Sequence, residues 1–396
     1  MILTLATQHR FALRALSSLL AAIAISGLLG CGDGDRSKEL SNATPTPASS
    51  KPSPDPTNTQ AALAKFWERY GARDSFPAMY VDILENTLLA EDKVLAKDYT
   101  GARTIVDKLL AKYPLSDDVW WTIFRTGEEK STRPHLGEPG AYAHMRMLDE
   151  ITKIGVTKSL AGSKPIQMAV VMPACSDIVP KAGPTLLNHR LSPEIEENSY
   201  EVVHQSLRLF QSYILAISNG ELRLELNFYK VNECFQIKKE TGFVVGNYTA
   251  PVSQLPAGVA DKSDMFWLIY PSDNDAGLDI GQGGGMGAFG DKPFFISEDD
   301  WVIRKVAYQG GGARTEVERR LYLPEWVQHE FLHHLFSSWP EFGLEKTGHQ
   351  WFTRTNWPAD FVGGIEEDYY SEALRKRLYT ATPSIAQKLQ RANPAK

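Results

Sequence analysis

Apolar residues recur at three- and four-residue steps, between charges, along 79-MYVDILENTLLAEDKVLAKDY-99 and 102-ARTIVDKLLAKYPLSDDVWWTIF-124, which predicts amphipathic helices. Pro114 and 134-PHLGEPG-140 punctuate this stretch. At Lys164 the pattern changes. The run 166-IQMAVVMPA-174 is apolar almost without a break and ends near a proline, as a buried strand does. A long amphipathic helix is predicted over 195–218, with Asn219-Gly220 as its stop. Beyond it, 221-ELRLELNFYKV-231 alternates apolar and charged residues, a half-exposed strand, and 265-MFWLIY-270 reads as a further buried strand. The glycine-rich 281-GQGGGMGAFG-290 predicts a flexible loop leading into strands at 293–297 and 301–308. Pro324 opens one more helix, at a position where its missing N–H costs nothing. The order of elements predicts an α/β (α+β) protein: a twisted mixed sheet with a long backing helix over 161–396, preceded by an all-helical annex over 61–160.

Upstream, the chain carries an address and a tether. Arg10 and Arg14 precede an apolar run from Ala15 to Leu29, which Ser17, Ser18, Ser26 and Gly27 interrupt and which is short for a membrane span. It ends at Leu28-Leu29-Gly30-Cys31, which resembles the bacterial lipoprotein signal. That resemblance implies cleavage before Cys31, lipidation of its thiol, and an exported, lipid-anchored protein of the cell envelope, periplasmic or surface-facing. Residues 32–60 are rich in Ser, Thr and Pro, too poor in apolar side chains to order themselves. They read as a tether with a reach on the order of 30 Å. With Cys31 taken by lipid, an exported chain would most simply pair Cys175 with Cys234, the other arrangements being free buried thiols and a thiol that blocks a metal site in a latent form.

Composition adds little beyond exclusion. The 396 residues are 43% apolar and 23% charged, a globular balance, and the net charge of −6 offers no basic face for nucleic acid. Oligomeric state leaves no mark in the sequence.

The candidate chemistry lies in 325-EWVQHEFLHHLFSSWPEF-342. On a helix, His329 and His333 leave the same face one turn apart, where two imidazoles can take adjacent corners of a tetrahedral zinc. Glu330 follows the first histidine about 100° round the helix, within reach of a metal-bound water without having to ligate. Val327, Phe331, Leu332, Leu335 and Phe336 supply an apolar face for packing, and four of the nine histidines fall between 329 and 349. This is an H-E-x-x-H arrangement, and with the sheet pattern before it the chain resembles the zincin metallopeptidases, whose twisted sheet backs onto the metal-binding helix. The resemblance implies zinc as cofactor, Glu330 as general base, hydrolysis of a protein or peptide substrate, and an extended substrate pairing with an exposed strand near 286–297. It does not extend to the long metzincin motif, which wants glycine and histidine where this chain has Phe336 and Trp339.

A catalytic zinc needs a third protein ligand. His349, in 347-TGHQWF-352, is the leading candidate; Glu366 or Glu367, in 365-IEEDYYSEALRKRL-378, would match a glutamate on a following helix. Tyr369 and Tyr370 are candidates for steadying an oxyanion or simply for packing, and Trp326, Trp339, Trp351 and Trp357 for a specificity pocket or a core. The formal G-x-G-x-x-G of 285–290 is no dinucleotide site, because Pro293 and a strand follow where a helix is required. Two other functions share these residues: a zinc hydrolase of non-peptide amides, and a surface lipoprotein that binds a partner without catalysis.

Overall fold

Four helices form the first part of the described chain: α1 (Thr59–Tyr70), α2 (Ala78–Leu95), α3 (Tyr99–Lys112) and α4 (Gly140–Ile154). The computed structural model describes residues 59–115, 140–154, 165–179, 187–190, 193–218, 220, 222–240, 243–247, 249–272, 284–289, 292–300, 302–303, 312–313, 315–317, 319–321, 327–328, 331–332, 357–363 and 366–378, all within one compact unit. The signal, Cys31, the tether up to residue 58, His329, Glu330, His333 and His349 lie outside these residues; Thr59 and Gln60, read in the sequence as the end of the tether, instead open α1.

Local chemistry sets the helix ends. Asp98 caps α3 by accepting the Gly101 N–H at 2.9 Å. That helix stops at Lys112, at the break that Pro114 predicts: Tyr113 precedes the proline and sits at φ −131°, ψ 84°. The proline ring crowds its neighbour out of the helical region. Nearly every residue of α4 from Ala141 to Ile151 is buried, Arg146 alone being partly exposed, so this helix is enclosed on all sides.

The main sheet has five strands: β1 (Ile166–Pro173), β4 (Leu224–Val231), β7 (Met265–Ser272), β8 (Gly284–Phe289) and β9 (Lys292–Asp300), ordered β4-β1-β7-β9-β8. β1 runs parallel to β4 and β7, and β7 parallel to β9; only β8 is antiparallel. Residues 284–289 of the glycine-rich stretch are thus a strand and not the loop that their composition predicts. Its backbone pairs with the apolar Pro293–Ile296 run, from Ala288↔Pro293 to Gly285↔Ile296. Helix α5 (Pro193–Ile217) joins β1 to β4 by way of a second sheet and ends on Gly220, which takes φ 82° and donates its N–H to Leu215 at 2.8 Å.

Strand alternation divides the main sheet into two covered faces. Met168, Val170, Met265, Trp267 and Ile269 point into a large core shared with α1–α5. Ala169, Val171, Phe266, Leu268 and Tyr270 point into a smaller one under two short helices, α6 (Thr249–Ser253) and α7 (Val259–Lys262). Burial on both faces is why β1 and β7 read as unbroken apolar runs. The architecture is α+β, as the order of elements predicts.

A second sheet, with no counterpart in the sequence reading, contains β2 (Cys175–Val179), β3 (Leu187–Arg190), β5 (Phe235–Glu240) and β6 (Phe243–Asn247), ordered β3-β2-β5-β6. It extends the main one. The β1–β4 ladder ends at Pro173↔Val231, and the β2–β5 ladder resumes at Ser176↔Phe235 with one extra residue in the second strand. A Cys175–Cys234 disulfide spans this junction, with Cα atoms 4.6 Å apart. A two-residue pair, β10 (Val302–Ile303) and β11 (Gly312–Ala313), completes the strands, and helix α8 (Glu366–Ala373) runs into a π-helical turn, Leu374–Leu378.

Candidate functional site

The residues beside the histidine motif are helical and buried. Val327, Gln328, Phe331 and Leu332 have helical backbone and between 0% and 1% exposure. Phe331 seats this segment on the sheet: its ring stacks on Trp267 of β7 at 5.8 Å and meets Phe210 of α5 edge-on at 5.1 Å. Phe210 in turn meets Trp267 edge-on at 5.8 Å. Such three-way aromatic packing adds about 0.5–1.5 kcal/mol per pair to the area it buries.

Gln328 supplies direction. Its Nε2 donates to Tyr213 Oη of α5 at 3.2 Å and to Ser371 Oγ of α8 at 3.1 Å. Tyr213 Oη closes the triangle by donating to Ser371 Oγ at 2.7 Å. Burial pushes the Tyr213 hydroxyl well above its ordinary range, so it stays protonated as a donor. Two buried hydroxyls and one amide thereby tie the motif segment to α5 and α8.

Helix α8 is held from a third side. Asp368 accepts from Tyr142 Oη at 2.8 Å and from Arg146 Nε at 3.1 Å, both on α4. Gly363, at φ 131°, lies so close that a Cβ there would meet the Asp368 carboxylate at 2.3 Å. Arg375 bridges Glu150 of α4 at 3.0 Å and Glu372 at 3.2 Å. Tyr369 and Tyr370 are 4% and 1% exposed; Tyr369 packs beside Phe361 and meets Tyr370 edge-on. Trp357 likewise packs against the core, 5.8 Å from Tyr369.

A second buried network lies on the chain just before the motif segment. Arg320 is fully buried and reaches Thr59 Oγ1 at 2.8 Å, Asp92 Oδ1 at 2.7 Å and Glu91 Oε2 at 3.2 Å. His144 Nε2 lies 3.3 Å from the same Glu91 oxygen. Burial pushes the Glu91 carboxyl up to about 7 against the pull of Arg320, and burial, with Arg320's charge, pushes His144 down to about 3. Burial thus favours the neutral form of His144, packed in the core beside Glu91.

Of the residues singled out in the sequence, Cys175 and Cys234 are joined. Glu366 and Glu367 begin α8. His329, Glu330, His333, His349 and Cys31 lie outside the described residues. Among the described residues no cluster of three or more His, Cys, Asp or Glu side chains is arranged to hold a metal, and no helix is long and apolar enough to cross a membrane. Comparison with protein-family models, curated proteins and solved structures found no match to the chain.

Gln328, Tyr213 and Ser371 escaped the sequence reading. One signal was present: Gln328 is three residues before Phe331, a polar side chain on the apolar stripe, and a polar group at a core position needs a partner. Nothing in the sequence names Ser371 as that partner.

Proposed function

We propose that the protein is a lipid-anchored zinc metalloendopeptidase of a bacterial cell envelope, built on a zincin-like domain. The observation that carries this reading is helical, buried backbone at Val327, Gln328, Phe331 and Leu332, on both sides of His329-Glu330 in the sequence. Helical spacing is the condition under which histidines four apart share a face. Phe331 on Trp267 supports it too, since a sheet backing the motif helix is what the zincin resemblance implies. The donor set fits zinc in kind: two imidazoles from His329 and His333, with His349, or Glu366 or Glu367, as third ligand. Helix α8 is tied to Gln328 through Ser371, which keeps the glutamate alternative open beside His349.

When bound, zinc lowers the pKa of a water and polarises the scissile carbonyl. Glu330 then acts through its carboxylate, taking the proton from the attacking water and handing it to the departing amide nitrogen. Among the described strands β8 ends the order, with β9 on one side, which makes it the candidate edge for an extended peptide to join. The Cys175–Cys234 bridge fits an oxidising compartment, and so supports export through the Cys31 signal.

The test is metal analysis together with peptide cleavage on the purified full-length chain. Wild type should hold one zinc per chain. Glu330→Ala should keep the zinc and lose about 10²–10⁴-fold in turnover. Unchanged cleavage by that variant, or no zinc in wild type, removes the proposal.

A further inference from the structure

Resting on the zinc reading above, we propose that Gln328 is a positioning residue: its amide, shared between Ser371 and Tyr213, sets the rotation of the motif segment and through it the zinc affinity. The apolar contacts of Phe331 with Trp267 and Phe210 hold the segment against the sheet. Contacts of that kind are non-directional and tolerate a small roll about the helix axis. Hydrogen bonds do not, since they weaken steeply with angle. Gln328 is 0% exposed and Ser371 and Tyr213 are 1% exposed, so no water replaces a bond that a roll would break.

Gln328 directly precedes His329 and stands two residues before Glu330 in the chain, so its anchor acts on them through the shortest possible length of backbone. The same triangle acts on a second element. Ser371 stands one helical turn after Glu367 in α8, so its bonds to Gln328 and Tyr213 also set the height of α8 against the motif segment. One small polar group thereby sets two of the elements from which ligands are proposed to come. Partners that orient a metal site without touching the ion typically govern affinity by 10- to 100-fold.

Two quantities separate this role from a merely structural one: the zinc dissociation constant by chelator competition, and urea unfolding of the metal-free protein. Both are measured on full-length wild type, Gln328→Met, Ser371→Ala, Tyr213→Phe and the Gln328→Met/Ser371→Ala pair. Each single variant should bind zinc about tenfold or more weakly. The double variant should lose less than the sum of the two single losses, because the two changes have the Gln328–Ser371 bond in common. Variants that lose metal-free stability but keep wild-type zinc affinity overturn the inference, as do losses that simply add. Should Gln328→Met fail to fold, Ser371→Ala and Tyr213→Phe carry the test. A wild type that takes up no zinc defeats the zinc reading itself, an outcome distinct from a zinc-binding wild type with indifferent variants.

Discussion

Phe331 shows how one residue can serve a site without belonging to it. Its ring fills the space between Trp267 and Phe210, and it is 1% exposed. Phe331→Ala should therefore cost about 3–5 kcal/mol in urea unfolding, from lost burial and the cavity left behind. A loss below about 1 kcal/mol would mean the ring is not packed as described. Glu91 and His144 make a different kind of statement, about pH. Glu91 is raised from its ordinary 4.5 to about 7, so its contribution to stability is fully present below about 4.5 and lost as pH rises through about 7. His144 is lowered from 6.5 to about 3, so its contribution is present above 6.5 and lost as pH falls. The two slopes oppose each other across the acid range. Replacing Glu91 with Gln leaves only the histidine slope, so the stability of wild type relative to Glu91→Gln should decline between pH 4.5 and 7. Parallel pH–stability curves for the two proteins would contradict the raised Glu91.

At the scale of elements, α8 is the best-determined piece near the proposed site. Asp368 fixes it to α4 through Tyr142 and Arg146, and Ser371 fixes it to α5 and Gln328. The approach to it depends on Gly363. At φ 131°, with Asp368 at 2.3 Å from a would-be Cβ, alanine there meets both backbone strain and a clash. Gly363→Ala should lower stability by about 2 kcal/mol or more, and thermal unfolding against wild type measures it. A neutral result would show that the loop re-routes. The sequence pattern served elements unevenly. Buried strands β1 and β7 and helix α5 were legible because their apolar periods are strong and long. β8 was not, since its glycines carry no side-chain pattern and its strand character comes from pairing with β9. The strands of the second sheet were hidden for the same reason: β2 and β5 continue the ladder that starts in β1 and β4, and β3 and β6 pair onto them.

For the whole molecule, the described helices of 59–154 and the strands after 166 share one hydrophobic core. Leu84, Val106 and Leu148 lie in the same cluster as Met168, Trp267 and Phe331. Polar groups cross it as well, with Arg320 bound to Glu91 and Asp92, and Asp368 to Tyr142 and Arg146. Removing one member of a buried ion pair costs about 3–5 kcal/mol, because the other is left charged and unpartnered. Deleting 61–160 would expose that core and take Glu91 and Asp92 from Arg320, and Tyr142 and Arg146 from Asp368. A chain of residues 161–396 should accordingly show no cooperative unfolding transition in denaturant, with proteolysis throughout. A sharp two-state transition from that fragment would show that the helices are dispensable to the fold.

The sequence by itself determined the periodic elements, the α+β class and the spacing of the H-E-x-x-H candidates, because these depend on side-chain order along a single segment. Only the tertiary structure decided that α8 is bonded to Gln328, that α4 runs enclosed through the core, and that Gly284–Phe289 is a strand paired with β9. Each of those is a contact between residues far apart in the chain. Partner choice across such distances is set by shape, burial and hydrogen-bond geometry, for which a linear pattern holds no record.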